Sequence, residues 1–195
     1  FPSNGDYSIR DDATYVHYTS NNTLFGTQFH HLPDSAGKPR VVDASSDICG
    51  VPIDVSEHDL IYAGAQKNLG PSGVTLAILS PWALSRCGDE LPTMLNYRTH
   101  ATKGSMFNTP NTFGIFVLDR VLAWVERNGG LSGAVDRNRA KASLLYGELD
   151  KSDFWRPHAH GGSRSVMNVT WRLADTDLEG AFLNEAMDSG LGGLK

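Results

Sequence analysis

The sequence predicts an α/β protein, a mostly parallel sheet over residues 1–128 joined to part of a small α+β unit over residues 129–195. Three observations predict it. Short continuous runs of Val, Ile and Leu in the first half lack alternation, which is the pattern of strands covered on both faces. Polar residues close those runs, as at the ligand-binding rim of an open α/β sheet. Beyond Gly129 the pattern changes to helix, strand, helix, which marks a break between two units.

The elements follow in order. Ala13–Ser20 alternates and reads as a strand, running into a polar loop at Ser20-Asn21-Asn22-Thr23. Val41–Asp43, Asp59–Ala63 and Val74–Leu79 read as buried strands. Ser80–Cys87 is a short helical turn with Pro81 at its start. Gly88–Pro110 has little periodicity and reads as a long loop, a length that is usually functional or mobile. Asn111–Arg127 is the clearest helix: Phe113, Phe116, Val117, Val121, Leu122 and Val125 recur at helical spacing, and Gly129-Gly130 stop it. Leu131–Asp150 is a second helix with Leu144 and Leu145 on its face. Arg164–Leu173 alternates enough for a strand. Thr176–Ser189 is a third helix, capped by Asp175 or Thr176 and closed by Gly190.

Composition narrows the function classes. The chain is 40% hydrophobic and 20% charged with a net charge of −5, so it offers no basic face for nucleic acid. No apolar run approaches the ~20 residues of a membrane helix, and Phe1–Asp6 does not read as a signal peptide. Cys49 and Cys87 are too few for a disulfide framework and predict free thiols in a reducing compartment, hence a cytoplasmic protein.

Lys67 stands out. It lies in Tyr62-Ala63-Gly64-Ala65-Gln66-Lys67-Asn68-Leu69-Gly70-Pro71-Ser72-Gly73, after a buried strand, and Asp43 closes the preceding one. A lysine amine partly removed from water can be a nucleophile near neutral pH. Pyridoxal phosphate chemistry needs such an amine for a Schiff base and a carboxylate for the pyridinium nitrogen. Gly64, Gly70 and Gly73 allow close approach to a ligand. From the residues alone a solvated lysine and a turn-capping aspartate remain open. Ser105–Pro110 places Asn108 and Thr109 before a helix, where free N–H groups suit a phosphate, or where Thr109 simply caps a helix with Pro110 at its first position.

Other patterns carry less. The histidines at 30, 31, 100, 158 and 160 lack zinc-type spacing, so no metal is expected. Gly70-Pro71-Ser72-Gly73 is not a nucleophile elbow, and Gly64-Ala65-Gln66-Lys67 is not a phosphate loop of the Walker type. Asn168-Val169-Thr170 matches a glycosylation sequon, with nothing to suggest secretion.

Several longer words fall in one order: His17-Tyr18-Thr19-Ser20-Asn21-Asn22-Thr23, Val42-Asp43-Ala44-Ser45-Ser46-Asp47-Ile48, Pro52-Ile53-Asp54-Val55, Ile61–Gly73, Ser105-Met106-Phe107-Asn108-Thr109-Pro110 and Arg164-Ser165-Val166-Met167-Asn168-Val169. In these the chain resembles the phosphoserine aminotransferase family over nearly its whole length. The resemblance implies a class V, fold-type I enzyme with a three-layer pyridoxal-phosphate-transferase large domain, active as a homodimer. It implies amino transfer between L-glutamate and 3-phosphooxypyruvate, giving O-phospho-L-serine and 2-oxoglutarate for serine biosynthesis. It leaves open the phosphohydroxythreonine step of vitamin B6 synthesis. Lys67 would carry pyridoxal 5'-phosphate and move the proton, and Asp43 would pair with the ring nitrogen. Thr23 would contact the ring hydroxyl and Gln66 the phosphate. Asn108 and Thr109 would reach the phosphate of the neighbouring subunit's site.

Two departures are visible: Asn111 stands where the family has a second proline, and Cys49-Gly50-Val51 replaces Ser-Arg before Pro52. Relative to the family the chain is expected to lack an N-terminal part and the extreme C-terminus, with several cationic phosphate- and substrate-binding groups. Little transaminase activity is therefore expected of these 195 residues alone. The same Lys–Asp pair also serves other fold-type I enzymes, such as desulfurases and decarboxylases. A catalytically silent chain that keeps only the fold is the remaining alternative.

Overall fold

A computed structural model of the chain describes residues 3–194. Strands β1 (Val16–Thr19), β4 (Arg40–Asp43), β5 (Leu60–Gly64) and β6 (Thr75–Leu79) form one sheet in the order β1-β4-β5-β6. The first two pairings are parallel, Thr19 beside Asp43 and Asp43 beside Tyr62. β6 is antiparallel to β5, with Gly64 beside Thr75, because the tight Ala65–Val74 turn returns the chain directly. The sheet is thus α/β and mostly parallel, as the apolar runs predict.

Val42, Ile61 and Ala63 are fully buried and pack with Ala44, Ile48, Ala65 and Leu69. Val74, Leu76, Ile78 and Leu118 close over that cluster. Burying each Val, Ile and Leu side chain of this cluster is worth roughly 1.5–3 kcal/mol, so it anchors the sheet. Coverage is less complete than the sequence predicts: β6 residues are at most half-buried.

Ser20–Thr23 is predicted as a loop, but it contains β2 (Asn21–Asn22), paired with β3 (Thr27–Gln28) in a small antiparallel hairpin. The long segment before Pro110 is likewise not all loop. It holds a 3-10 turn, Thr93–Leu95, and helix α2 (Tyr97–Thr102), which Asn96 caps by accepting from the Arg98 amide at 2.9 Å. α1 (Pro81–Ser85) is the predicted short helix, with Ser80 as its cap.

α3 (Thr112–Arg127) starts at Asn111, whose side chain accepts from the Gly114 amide at 3.0 Å. Asn111, not Thr109, is therefore the cap, and Pro110 lies outside the helix. Gly114, Val117, Leu118, Val121, Ala123 and Val125 are the less exposed positions of α3, whereas Phe113, Phe116 and Leu122 are exposed. The 3.6-residue period was legible, but the bulkiest apolar residues are among the exposed ones. At Gly114 α3 lies close against Val74, just before β6, and a Cβ there would strike Val74 and Asn111.

Gly129, at φ 90°, turns the chain into α4 (Gly130–Leu149). Gly133 lets α4 pass close to the Asn128 carbonyl, which also accepts from Arg137 Nη1 at 2.6 Å. The buried face of α4 is Ala134, Val135, Ala142, Tyr146 and Leu149; Leu144 and Leu145 are exposed, against the sequence reading.

Residues 164–173 form a strand only at β8 (Trp171–Leu173), antiparallel to β7 (Trp155–Pro157). Upstream, the Ser165 hydroxyl accepts from the Met167 and Asn168 amides at 3.0 and 3.1 Å, which bends the chain into a turn instead. The last predicted helix begins as a 3-10 turn capped by Asp175 and continues as α5 (Glu179–Asp188).

Candidate active site at the C-terminal rim of the sheet

β4 ends at Asp43 and β5 at Gly64, so the chain emerging from both strands forms one rim. After β4 the chain makes a helical turn, with Ile48 N donating to Ala44 O at 2.8 Å. Asp43 starts that turn, its Oδ1 accepting from the Ser45 amide at 2.9 Å. It is therefore a turn cap, one of the two readings the sequence left open, with its carboxylate on the rim. After β5, Leu69 N donates to Ala65 O at 3.0 Å in a second helical turn. Buried Ala65 and Leu69 anchor that turn, which faces Gln66 and Lys67 outward.

The two turns are tied together. Gly64 N donates to Ser45 Oγ at 3.1 Å, and Asn68 Nδ2 donates to Ile48 O at 2.7 Å. A side chain at Gly64 would collide with the Gln66 carboxamide, so glycine is what lets Gln66 fold back over the strand end.

Lys67 is exposed, the solvated reading that the residues alone left open, yet its amine is held. Nζ donates to Thr23 Oγ1 at 2.6 Å and to Ser46 Oγ at 2.7 Å, and the two hydroxyls lie 2.6 Å apart. Thr23 comes from the β2–β3 hairpin, Ser46 from the turn after β4 and Lys67 from the turn after β5. Three separate segments thus converge on one amine.

Beside Asp43 stands Tyr62. Burial first, and then the Asp43 carboxylate, push its phenol above the usual range. The Tyr62 hydroxyl also meets His17 Nε2 at 3.0 Å. An amine, a carboxylate and two hydroxyls on one rim suit a small polar heteroaromatic with an electrophilic carbon and a basic ring nitrogen. The residues present therefore fit pyridoxal phosphate.

Of the predicted site residues, the structure brings Thr23 and Lys67 into contact and places Asp43 and Gln66 on the same two turns. Asn108 and Thr109 are not joined to them: both are exposed, and Asn108 Nδ2 reaches the Met94 sulfur at 3.3 Å. Sequence reasoning missed Ser46 and Tyr62 as members of the rim. Ser46 had a signal, since Ser45-Ser46 follows the strand-closing aspartate; Tyr62 had none beyond its place one strand over.

Two hollows lie elsewhere. One of about 400 Å³ is lined by residues that include Tyr18, Phe29, Asp47, Ile53 and His58, and one of about 560 Å³ by residues that include Phe25, Trp171 and Phe182; neither includes Lys67. The described residues hold no cluster of His, Cys, Asp and Glu fit for a metal, and no helix among them is long and apolar enough to cross a membrane.

A model of the class-V aminotransferases matches residues 3–191. The chain belongs to the class-V aminotransferase family. Among its class-V relatives, the phosphoserine aminotransferase of Lysinibacillus sphaericus is 50% identical over 194 residues, covering 99% of this chain and 54% of that protein. That of Geobacillus kaustophilus is 52% identical with the same coverage. The solved phosphoserine aminotransferase of Bacillus circulans subsp. alkalophilus superposes with a TM-score of 0.94 at 45% identity, covering 100% of this chain and 54% of that one. The pyridoxal-phosphate-bound enzyme of Trichomonas vaginalis gives a TM-score of 0.91 at 29% identity, covering 100% of this chain and 55% of that one. The chain spans about half the length of the class-V relatives it matches.

Proposed function

We propose that this chain is the cofactor-bearing part of a pyridoxal-phosphate-dependent transaminase. The reaction is amino transfer between L-glutamate and 3-phosphooxypyruvate, giving O-phospho-L-serine and 2-oxoglutarate in serine biosynthesis. The observation that carries the reading is the Lys67 amine held between two hydroxyls on the rim that also bears Asp43. The similarity to phosphoserine aminotransferases along the full chain supports the choice of substrates.

When bound, pyridoxal phosphate supplies an electrophilic carbon and a ring that accepts electrons. Lys67 provides the amine that holds that carbon, and afterwards carries a proton to and from the reacting centre. Thr23 and Ser46 orient the amine and accept its hydrogens. The Asp43 carboxylate keeps a proton on the ring nitrogen, because a nearby negative charge favours the protonated base. Tyr62, with its phenol held neutral, can donate a hydrogen bond at the Asp43 end. Gln66 binds the cofactor phosphate from its own turn.

In this reading residues 1–128 hold the cofactor and residues 129–195 form part of a smaller unit. The protein acts in the cytoplasm as a homodimer, with Asn108 and Thr109 serving the neighbouring subunit's phosphate. The exposure of both residues supports that assignment. So does the apolar surface of α3, where Phe113 and Phe116 are 72% and 58% exposed. A cysteine-dependent relative such as a desulfurase fits less well. Cys49 is half-buried with its thiol pushed up by burial, and Cys87 is buried, so neither is a ready nucleophile.

The test is covalent capture. The chain is incubated with pyridoxal phosphate, reduced with borohydride and digested. The cofactor mass is expected on the Lys67 peptide and lost in Lys67→Ala. Label spread evenly over the lysines, unchanged by that substitution, would sink the reading. Conversion of bound cofactor by glutamate, with release of 2-oxoglutarate, tests the amino donor.

A further inference from the structure

The hairpin loop that carries Thr23 is gripped by the turn at residues 165–170. Asn168 Nδ2 donates to Thr23 O at 2.8 Å, Thr170 Oγ1 donates to Phe25 O at 2.8 Å, and Ser165 N donates to Gly26 O at 2.9 Å. Only the first of these acts on Thr23 itself. The orientation of the Asn168 amide is set: its Oδ1 accepts from Asn21 Nδ2 at 2.9 Å and from Ser165 Oγ at 3.2 Å, which leaves Nδ2 to face the Thr23 carbonyl. Asn21 is 1% exposed and Ser165 is fully buried, so this network is anchored in the interior while its far end touches the rim. Asn22 Oδ1, accepting from the Leu24 and Phe25 amides, rounds the loop but does not fix where Thr23 sits relative to Lys67.

We infer that Asn168 is a positioning residue for the Lys67 amine, acting through Thr23. The bond lies on the backbone side of Thr23, away from the amine, so it sets the place of the hydroxyl without taking part in chemistry. A loop held by side-chain hydrogen bonds keeps a reacting group within a few tenths of an ångström, and losing such a support loosens the group it carries. This rests on the proposed role of Lys67, but it can be tested without cofactor.

The probe is acetic anhydride, with acetylation of Lys67 measured by mass spectrometry against the exposed Lys141 of the same molecule. In the native chain the Lys67 amine is engaged by two hydroxyls and is expected to label slowly. Asn168→Ala is expected to raise its relative labelling by about threefold or more, and Asn168→Asp to do the same while keeping the acceptor for Asn21. Residues acting through one another give non-additive effects, so in a Thr23→Val background Asn168→Ala should change labelling by less than about twofold. Thermal melts of each variant establish that it is folded, and Asn168→Asp covers the case where alanine is not. Equal effects in both backgrounds, or unchanged labelling in a folded Asn168 variant, would overturn the inference. Capture of pyridoxal phosphate by the native chain is scored separately: its failure would count against the proposed function, whereas the labelling cycle judges Asn168.

Discussion

At the scale of single residues, the amine of Lys67 is held by two neutral oxygens and not by a carboxylate. Neutral acceptors orient an amine without locking it into a strong ion pair, which suits a group that must gain and lose a proton. Ser46→Ala removes one of the two. It should slow covalent capture of pyridoxal phosphate by about three- to tenfold and cost at most ~1 kcal/mol of stability, checked by stopped-flow absorbance and denaturant titration. Asp47, next in the chain to Ser46, has the opposite character. Burial pushes its carboxyl above the usual value of 3.8, although it accepts from Ser20 Oγ at 2.5 Å and from Gln28 Nε2 at 3.0 Å. Gln28 cannot turn its amide over to suit a new neighbour, because its Oε1 accepts from Val166 N at 3.1 Å. Asp47→Asn can keep both bonds, its Oδ1 accepting from Gln28 Nε2 and its Nδ2 donating to Ser20 Oγ, whose own hydrogen goes to the Asp43 carbonyl at 3.1 Å, so a change within ~1 kcal/mol near neutral pH is expected from denaturant titration.

The pH dependence of these carboxylates has two signs. A carboxyl raised in the fold, such as Asp47, gives a contribution that is complete below the ordinary value of 3.8 and is lost as pH rises through the folded value. Asp150 behaves conversely. The Arg164 guanidinium, bonded to it at 2.6 and 2.7 Å, lowers its carboxyl, so that contribution is present above 3.8 and is lost as pH falls through the folded value. Asp150→Asn should flatten the acid limb of a stability–pH curve, and Asp47→Asn the limb just above the ordinary carboxylate range. Curves that superpose on the native one would contradict these assignments.

At the scale of elements, α3 rests on one capping side chain and one glycine. Asn111 supplies the hydrogen bond that the first turn lacks, so Asn111→Ala should cost ~0.5–2 kcal/mol. It stands where the resembling family has a second proline, and the structure gives the replacement a purpose: its Nδ2 also reaches the Gly73 carbonyl at 3.4 Å, joining α3 to the turn before β6. Gly114→Ala, ordinarily favourable in a helix, should instead destabilise by ~1–3 kcal/mol, because the added methyl would meet Val74 Cγ2 and Asn111. A melting temperature equal to or above that of the native chain would show that α3 can shift away from β6.

For the whole molecule, the exposed side of α3 and the segment before it carry Met94, Leu95, Phe107, Phe113 and Phe116 at the surface. Large exposed apolar areas on a soluble chain mark contact surfaces. If this is where the proposed homodimer forms, Phe113→Asp with Phe116→Asp should move the sedimentation profile from dimer to monomer. A native chain that is monomeric throughout the accessible concentration range would remove the dimer from the proposal. Elsewhere the structure is held by contacts between distant parts of the chain. Asn138 Nδ2 donates to Gly50 O at 3.1 Å, and the Asn21–Asn168–Ser165 network joins the first hairpin to the C-terminal third.

The sequence by itself determined the four strands of the main sheet, the two long helices and the places of Asp43 at the end of one strand and Lys67 in the turn after the next. Those features are local: apolar runs, a 3.6-residue period and glycine-bounded turns are written within a dozen residues of one another. Only the tertiary structure decided that β6 runs antiparallel, that Phe113, Phe116 and Leu144 face outward, and that Ser46 and Thr23 meet at the Lys67 amine with Asn168 behind Thr23. A helical period gives an angle but not which neighbour fills it, and a hydrogen bond such as Asn168 to Thr23 spans 145 residues with no trace in either stretch. Burial and long-range hydrogen bonding are properties of the packed chain, so the chemistry proposed for Lys67 rests on its neighbours in sequence, whereas the support that holds its amine could be read only from its neighbours in space.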